Sequence, residues 1–457
     1  MTLAPSASPG ARPRVVVCGA GFAGLWAARA LARTEVDVLL LDRFNYHTFF
    51  PLLYQVAAAE LGPTGIAYPV RSILRKMPNV RFRMAEVTGL DLNGRTVLAG
   101  GDGLPYDYLL VGLGSVPNYF GVEGAAKHAF PLRDMSQALP LRQQILSRFE
   151  AAEVEDDPTR RRRFLTFVIV GGGATGVEFA GALAELVYGP LLEDFPGVAE
   201  DEVAIVLLEA GDRVLAGMPD GLGEYAVDRL RRRRVEVRFG ARVIRVGPEG
   251  IHLAEGPPLA TETVVWTAGV QGDPRVADWG LPVTRGGRVP VTGALHLGEH
   301  PEVFVAGDLA WLTDDEGAPL PQVAQVALQQ GRHAALNVLR AVRGHALRPF
   351  RYRDPGMLAV IGRNAAVAHL RGRSFKGFAA WILWLVIHIA YLIGFRNRAL
   401  VLVNWAWNYI RFEHAVRLIL PSAGGEMRGE GRGSTGSEPG GEPGSEPGSE
   451  PRGEPRD

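Results

Sequence analysis

Twice in this chain a short, uninterrupted apolar run gives way to a glycine-rich turn and then to an alanine-rich amphipathic segment: VVVCGAGFAGL at 15–25 and FVIVGGGATGVEFAG at 167–181. Uninterrupted apolar runs of this length read as buried parallel strands, and the segments that follow read as helices. A second apolar run after each helix ends in a carboxylate, VDVLLLD at Asp42 and VAIVLLE at Glu209. Asp42 lies 18 residues beyond Gly24, whereas Glu209 lies 33 beyond Gly176, so the second unit needs an insertion, placed at VYGPLLEDFPG. Further apolar runs, YDYLLVGLGS at 106–115, TVVWTAGV at 263–270 and PEVFVAGDLA at 301–310, extend both sheets, and PQVAQVALQQGRHAALNVL reads as a helix. The run ending at Gly307 and Asp308 returns the chain to its first domain.

The two turns carry the chemistry. In a strand–turn–helix context, G-x-G-x-x-G lets the backbone turn tightly and approach a pyrophosphate, whose charge faces the positive end of the helix dipole. Gly19, Gly21 and Gly24 form the first such turn, and Gly171, Gly173 and Gly176 the second. The following carboxylate can accept hydrogen bonds from a ribose diol and repels a 2′-phosphate, so the second site favours NADH over NADPH, softened if Arg213 reaches it.

Composition narrows the function. Among 457 residues, 49 basic and 49 acidic side chains cancel, so no global field points to nucleic acid. The arginine runs at 160–163 and 231–234 read as solvated faces or linkers. A single cysteine, Cys18, sits inside the first strand, which argues against disulfide, sulfide or peroxide reduction through redox thiols and leaves no cysteine cluster for iron–sulfur or zinc. Residues 1–13 lack a signal-peptide core and read as loose, and the Gly/Ser/Glu/Pro tail at 421–457 reads as disordered.

Near the carboxy terminus, GFAAWILWLVIHIAYLIGF at 377–395 has His388 as its only ionisable group and is long enough to span a bilayer. The stretch ALVLVNWAWNYIRF at 399–412 is shorter and carries Trp405, Trp407 and Tyr409, residues suited to a membrane interface. Spanning the bilayer and lying on it both remain open, with a monotopic hairpin in one leaflet preferred; a buried pair of dimer helices is the ordinary alternative.

Several strings together resemble the type II NADH:quinone oxidoreductases over roughly residues 14–415: HTFFPLLYQVA, NYFGV, GGGATGVEFAGALAEL, VVWTAGV, VAGDLA and AQVALQQG. The resemblance implies an α/β fold of two Rossmann-type domains, an FAD domain (14–118 and 291–345) interrupted by an NADH domain (119–290), and a helical membrane-anchoring region (346–420). It implies FAD and NADH as cofactors and a membrane quinone, menaquinone or ubiquinone, as acceptor. It also implies a homodimer held peripherally on the cytoplasmic face of the bacterial membrane. By the same matching, Gly19, Gly21, Gly24, Asp42, Gly114, Gly307 and Asp308 serve FAD, with Phe50, Pro51 and Leu52 lining its ring, and Gly171, Gly173, Gly176 and Glu209 serve NADH. Glu178, Gln325 and Gln329 take catalytic roles near flavin and quinone, Glu178 being otherwise a charge at a helix start. Lys376 matches the family's lysine before the anchor. Leu113 replaces a hydroxyl residue common in relatives. A ferredoxin- or rubredoxin-type reductase and a redox sensor that binds both nucleotides share the two glycine turns and stay as competing readings.

Overall fold

The computed structural model describes residues 12–411 and 417–419. The expectations for residues 1–11 and for the tail at 421–457 lie outside the described residues. Two five-stranded parallel sheets organise the chain. The first runs in the order Val303–Val305, Tyr108–Val111, Arg14–Cys18, Asp37–Asp42, Val80–Met84. The second repeats the plan with Phe130–Pro131, Thr263–Trp266, Thr166–Val170, Ala204–Leu208 and Val235–Arg238. In both, the strand that feeds the glycine turn is central. Both of its faces are packed into core, Val15 and Val17 on one side of the first sheet and Val16 and Cys18 on the other, so nearly every residue is buried and an uninterrupted apolar sequence follows.

The first sheet is completed by a late return. Val303–Val305 pairs in parallel with Tyr108–Val111, so the second sheet is an insertion in the first. The two crossings between sheets pair with each other as a short antiparallel ribbon, Ser115 opposite Gly272 and Pro117 opposite Val270.

Six helices position the site: α1 (Phe22–Leu31), α2 (Leu53–Ala57), α3 (Ala174–Leu186), α4 (Ala324–Val342), α5 (Phe378–Tyr391) and α6 (Phe395–Arg411). Helices α1 and α4 pack closely because Gly331 has no side chain, since a Cβ there would come within 2.0 Å of the Ala23 carbonyl oxygen. The insertion expected before Glu209 is real: α3 runs on into a π turn at Val187–Leu191 and a short helical turn, Leu192–Asp194.

Residues 346–420 do not form a purely helical region. They open with a three-stranded antiparallel sheet, Met357–Gly362, Ala365–Leu370 and Arg373–Gly377, whose first strand lies against α3. Pairing here is possible because Asn364 takes a left-handed conformation (φ 62°) in the tight turn. Helices α5 and α6 follow. At 14 residues α5 extends about 21 Å at 1.5 Å per residue, short of a hydrocarbon core of ~30 Å. Among the described residues no helix is long and apolar enough to cross a membrane. Arg398 ends α5 by donating to the Leu392 and Ala390 carbonyls, and Asn397 fastens α6 to the carbonyls of Thr64 and Gly65. Phe378, Ile382, Val386, Phe395, Val403 and Ile410 face outward from the pair, Phe395 88% exposed and Ile410 72%.

Candidate active site

A cavity of about 1250 Å³ runs from the end of the first sheet, past α3, to α5. That exceeds the ~300–1000 Å³ of an ordinary small-ligand pocket and leaves room for more than one ligand. Gly19 and Gly21 line it where α1 begins. Gly19 sits at φ 100°, and a Cβ on Gly24, just beneath, would fall 1.8 Å from the Gly19 carbonyl oxygen. At Gly21 a Cβ would meet no protein atom within 4 Å: the space it would enter is cavity. No side chain caps α1, so its first amides face that space, a cradle for an anionic group.

Asp42 lines the same end. It accepts from the Ala20 amide at 2.6 Å and the Phe44 amide at 2.8 Å, while burial pushes its pKa up against those bonds. Across the cavity, Gly307 (φ 81°) and Asp308 form a 3₁₀ turn, and the Gln330 side chain accepts from the Gly307 amide at 2.8 Å. Asp308 pairs with Arg133 and accepts from the Ser115 hydroxyl at 2.8 Å, and the same guanidinium lies 5.3 Å from the centre of the Phe50 ring. Arg133 and Ser115 carry no signal in the sequence, since 175 and 193 residues separate them from Asp308.

Phe50, Pro51, Gly114 and Gln325 also line the cavity. Leu52 is fully buried and is not part of the lining. Gln329 is one turn beyond Gln325 and turns away: its side chain donates to the Arg353 carbonyl at 2.9 Å and accepts from the Arg353 amide at 3.1 Å. Lys376 lies on the strand Arg373–Gly377 with its ammonium 5.7 Å from the Tyr225 ring centre, and it does not line the cavity.

The second glycine turn meets the cavity at the start of α3, through Ala174 and Thr175. Gly171 is at φ 110°, with a virtual Cβ 2.5 Å from the Ala268 Cα, and the one on Gly176 would lie 1.9 Å from the Gly171 carbonyl oxygen. At Gly173 the space is open and no side chain caps the helix. Glu209 accepts from the amides of Gly172 and Gly211, both at 2.7 Å. Arg213 is committed to the Asp220 carboxylate and the Met218 carbonyl, so it does not balance Glu209.

Glu178 is the fifth residue of α3, in its second turn rather than its first, because the helix begins only at Ala174. The dipole therefore does little to hold it ionised. Burial instead raises its pKa to about 8, against a 3.3 Å bond from the Val360 amide and the nearby Trp384 indole. On α5, His388 lines the cavity, stacks on Trp384 at 4.2 Å between ring centres, and donates to the Trp384 carbonyl at 2.8 Å; burial lowers its pKa to about 4, so it is neutral. Leu383, Ile387 and Tyr391 make the remaining wall at α5 apolar.

Residues 13–331 match the family model "Pyridine nucleotide-disulphide oxidoreductase", and residues 355–411 match "NDH2 C-terminal domain". A type II NADH:quinone oxidoreductase of Mycobacterium tuberculosis is 39% identical over 421 residues, 89% of this chain and 90% of that protein. The chain belongs to the type II NADH:quinone oxidoreductase family. A Staphylococcus epidermidis member of the family is 32% identical, covering 82% of this chain and 94% of that protein. The solved NDH2 of Plasmodium falciparum in complex with NADH superposes with a TM-score of 0.82 at 18% identity, over 90% of this chain and all of that one. The sulfide:quinone oxidoreductase of Aquifex aeolicus shares the fold with a TM-score of 0.67 over 85% of this chain. The resemblance carried by the sequence strings therefore holds.

Proposed function

We propose that this flavoenzyme oxidises NADH and reduces a membrane quinone to quinol at the large cavity, with no proton pumping. The observation that carries the reading is one cavity that runs from Gly19 and Gly21, past Ala174 and Thr175 of the second glycine turn, to an apolar wall at α5. FAD, when bound, would supply two-electron redox chemistry between a reduced nicotinamide and a second acceptor.

The residues present fit that group. Gly19, Gly21 and Gly24 admit the pyrophosphate at the uncapped start of α1, Asp42 receives the adenosine ribose, and Asp308 with Arg133 holds the ribityl side. Phe50, Pro51 and Gly114 enclose the ring. Gly171, Gly173, Gly176 and Glu209 seat NADH. Glu209 is anchored by two amides, and Arg213 is committed to Asp220 and Met218, which favours NADH over NADPH. Glu178 holds a proton near neutral pH where nicotinamide and acceptor meet, and Gln325 offers an amide to the quinone. Gln329 supports Gln325 indirectly by fixing the chain at Arg353. Lys376 belongs to the support of the carboxy-terminal sheet.

The outward apolar faces of α5 and α6 rest in one leaflet as a monotopic hairpin, on the cytoplasmic side and in a homodimer. We take the FAD domain as 14–118 with 291–345 and the NADH domain as 119–290. The test is NADH against NADPH oxidation by the purified yellow protein with menaquinone and ubiquinone analogues. Turnover that survives deletion of residues 378–411 in a soluble form would instead favour a ferredoxin-type reductase.

A further inference from the structure

Tyr54 and Glu178 line not only the large cavity but a second one, of about 810 Å³. The two cavities lie on different faces of α5. Leu383, Ile387 and Tyr391 face the first, while Trp381, Trp384 and Leu385 face the second. The second cavity is lined by two kinds of chemistry: α5 and α6 give it an aromatic wall, and α3 with the segment after α2 gives it three carboxyl groups, Glu178, Glu185 and Glu60.

These three carboxyl groups line one cavity together with Tyr54. Glu178 and Glu185 are seven residues apart on α3, hence on one face and about 10 Å apart along the axis. Tyr54, on α2, and Glu60, just after it, come from the neighbouring segment. The Tyr54 phenol accepts from the Gln55 side-chain amide at 3.1 Å, and its pKa is pushed up by burial and then by the charges of Glu178 and Glu60. Glu60, half-buried, has its pKa raised well above the ordinary range by burial and then by Glu185. Asn408 and Trp405 of α6 hold this segment, donating to the Glu60 carbonyl at 3.4 Å and to the Gln55 side chain at 3.0 Å.

Glu185 is the outer member, with its side chain 30% exposed. It accepts from the Arg363 amide at 2.5 Å and lies 3.4 Å from the Arg233 guanidinium. The remaining charged groups of the rim are Glu193, Arg232, Arg234 and Arg363; Arg232 pairs with Asp228 and Arg234 with Glu200, so neither competes for Glu60. Tyr188, also on the rim, is engaged with the Val203 carbonyl.

We propose that Glu185, Glu60 and Tyr54 form a proton path from solvent to Glu178, delivering the proton consumed in quinol formation from the face of α5 that the quinone does not use. This rests on the quinone-reductase reading above. The balance is NADH + H⁺ + quinone → NAD⁺ + quinol: the hydride carries two electrons and one hydrogen, and the second hydrogen is a proton from solvent. A lipid-soluble quinone entering past Leu383, Ile387 and Tyr391 fills an apolar mouth that conducts no protons. A separate polar path removes that conflict.

Glu60 acts through Glu178 and is a positioning residue for the proton. Glu60→Gln keeps size and hydrogen bonding but removes the titrating group. Quinone-driven flavin reoxidation should slow about tenfold relative to NADH-driven flavin reduction, most at alkaline pH, with a larger solvent deuterium isotope effect. Glu60→Asp should recover most of the loss. In the resting holoenzyme, the infrared band of a protonated carboxyl should weaken in Glu60→Gln, a readout independent of turnover. If that variant does not fold, Glu185→Gln at the outer end carries the same kinetic expectation. An unchanged reoxidation rate, pH profile and isotope effect, or equal loss of both half-reactions, overturns the path. Absence of NADH:quinone turnover in the unaltered enzyme would instead sink the functional reading.

Discussion

Glu178→Gln exchanges a buried carboxyl shared by both cavities for a neutral amide of nearly the same shape. Burial holds the carboxyl's pKa at about 8, against 4.5 for an exposed glutamate. Below pH 4.5 the group is protonated in both the folded and the unfolded chain, and its charge costs nothing. Between 4.5 and 8 the unfolded chain releases the proton and the folded chain keeps it. Stability then falls by about 1.4 kcal/mol per pH unit, about 5 kcal/mol over the whole window, and stays down at higher pH. At ~2.1 cal/mol/K per residue, the roughly 400 described residues unfold with an entropy of ~0.8 kcal/mol/K, so 5 kcal/mol corresponds to a melting shift of ~6 °C. The glutamine variant has no such slope. Scanning calorimetry of both holoenzymes from pH 4.5 to 9 should show the variant gaining on the parent by several degrees as pH rises, levelling off above 8. A melting difference that stays constant over this range would refute the assignment of a neutral buried carboxyl.

Three further outcomes follow from the geometry. Gly331→Ala forces α4 away from the Ala23 carbonyl that its Cβ would approach to 2.0 Å; overpacking of about 1–3 kcal/mol next to Gly307 should show as loss of bound flavin on gel filtration. Glu209→Ala strips the Gly172 and Gly211 amides of their acceptor, at about 1–3 kcal/mol, and should raise the KM for NADH while narrowing the preference over NADPH; an unchanged ratio counts against the ribose role. Val403→Glu with Ile410→Glu, seven residues apart on α6 and both exposed, should lower co-sedimentation with lipid vesicles by about 1.5–3 kcal/mol per side chain, with turnover on a short-chain quinone retained.

The two sheets were legible because central parallel strands have no polar face, and the glycine turns because positive φ at Gly19 and Gly171 excludes a side chain. The carboxy-terminal sheet was missed although its signal exists: MLAVIG and AAVAHL flank the turn residues Arg363 and Asn364. The longer hydrophobic run at 377–395 carries the stronger pattern. Helical spacing put Gln325 and Gln329 on one side of α4, but spacing fixes an angle around the axis and not a depth along it, and depth gave Gln329 to Arg353. The Arg133–Ser115–Asp308 cluster lay beyond any local pattern, because sheet pairing across the inserted domain brings its members together.

The same reasoning explains why α5 is short. A helix long enough to span would need ~20 residues, and its middle would be wrapped by lipid on every side. Here one side of α5 is taken by protein, with Ala380 and Trp384 buried, and Phe378, Ile382 and Val386 are outward on the other. Helix α5 is therefore a partition more than an anchor: one flank closes the large cavity with Leu383 and Ile387, the other closes the second cavity with Trp381 and Trp384. In the proposed reading, lengthening α5 into a true span would pull one of these flanks off its cavity. Fourteen residues are what the partition can use, and α6, pinned by Asn397, supplies the rest of the apolar surface.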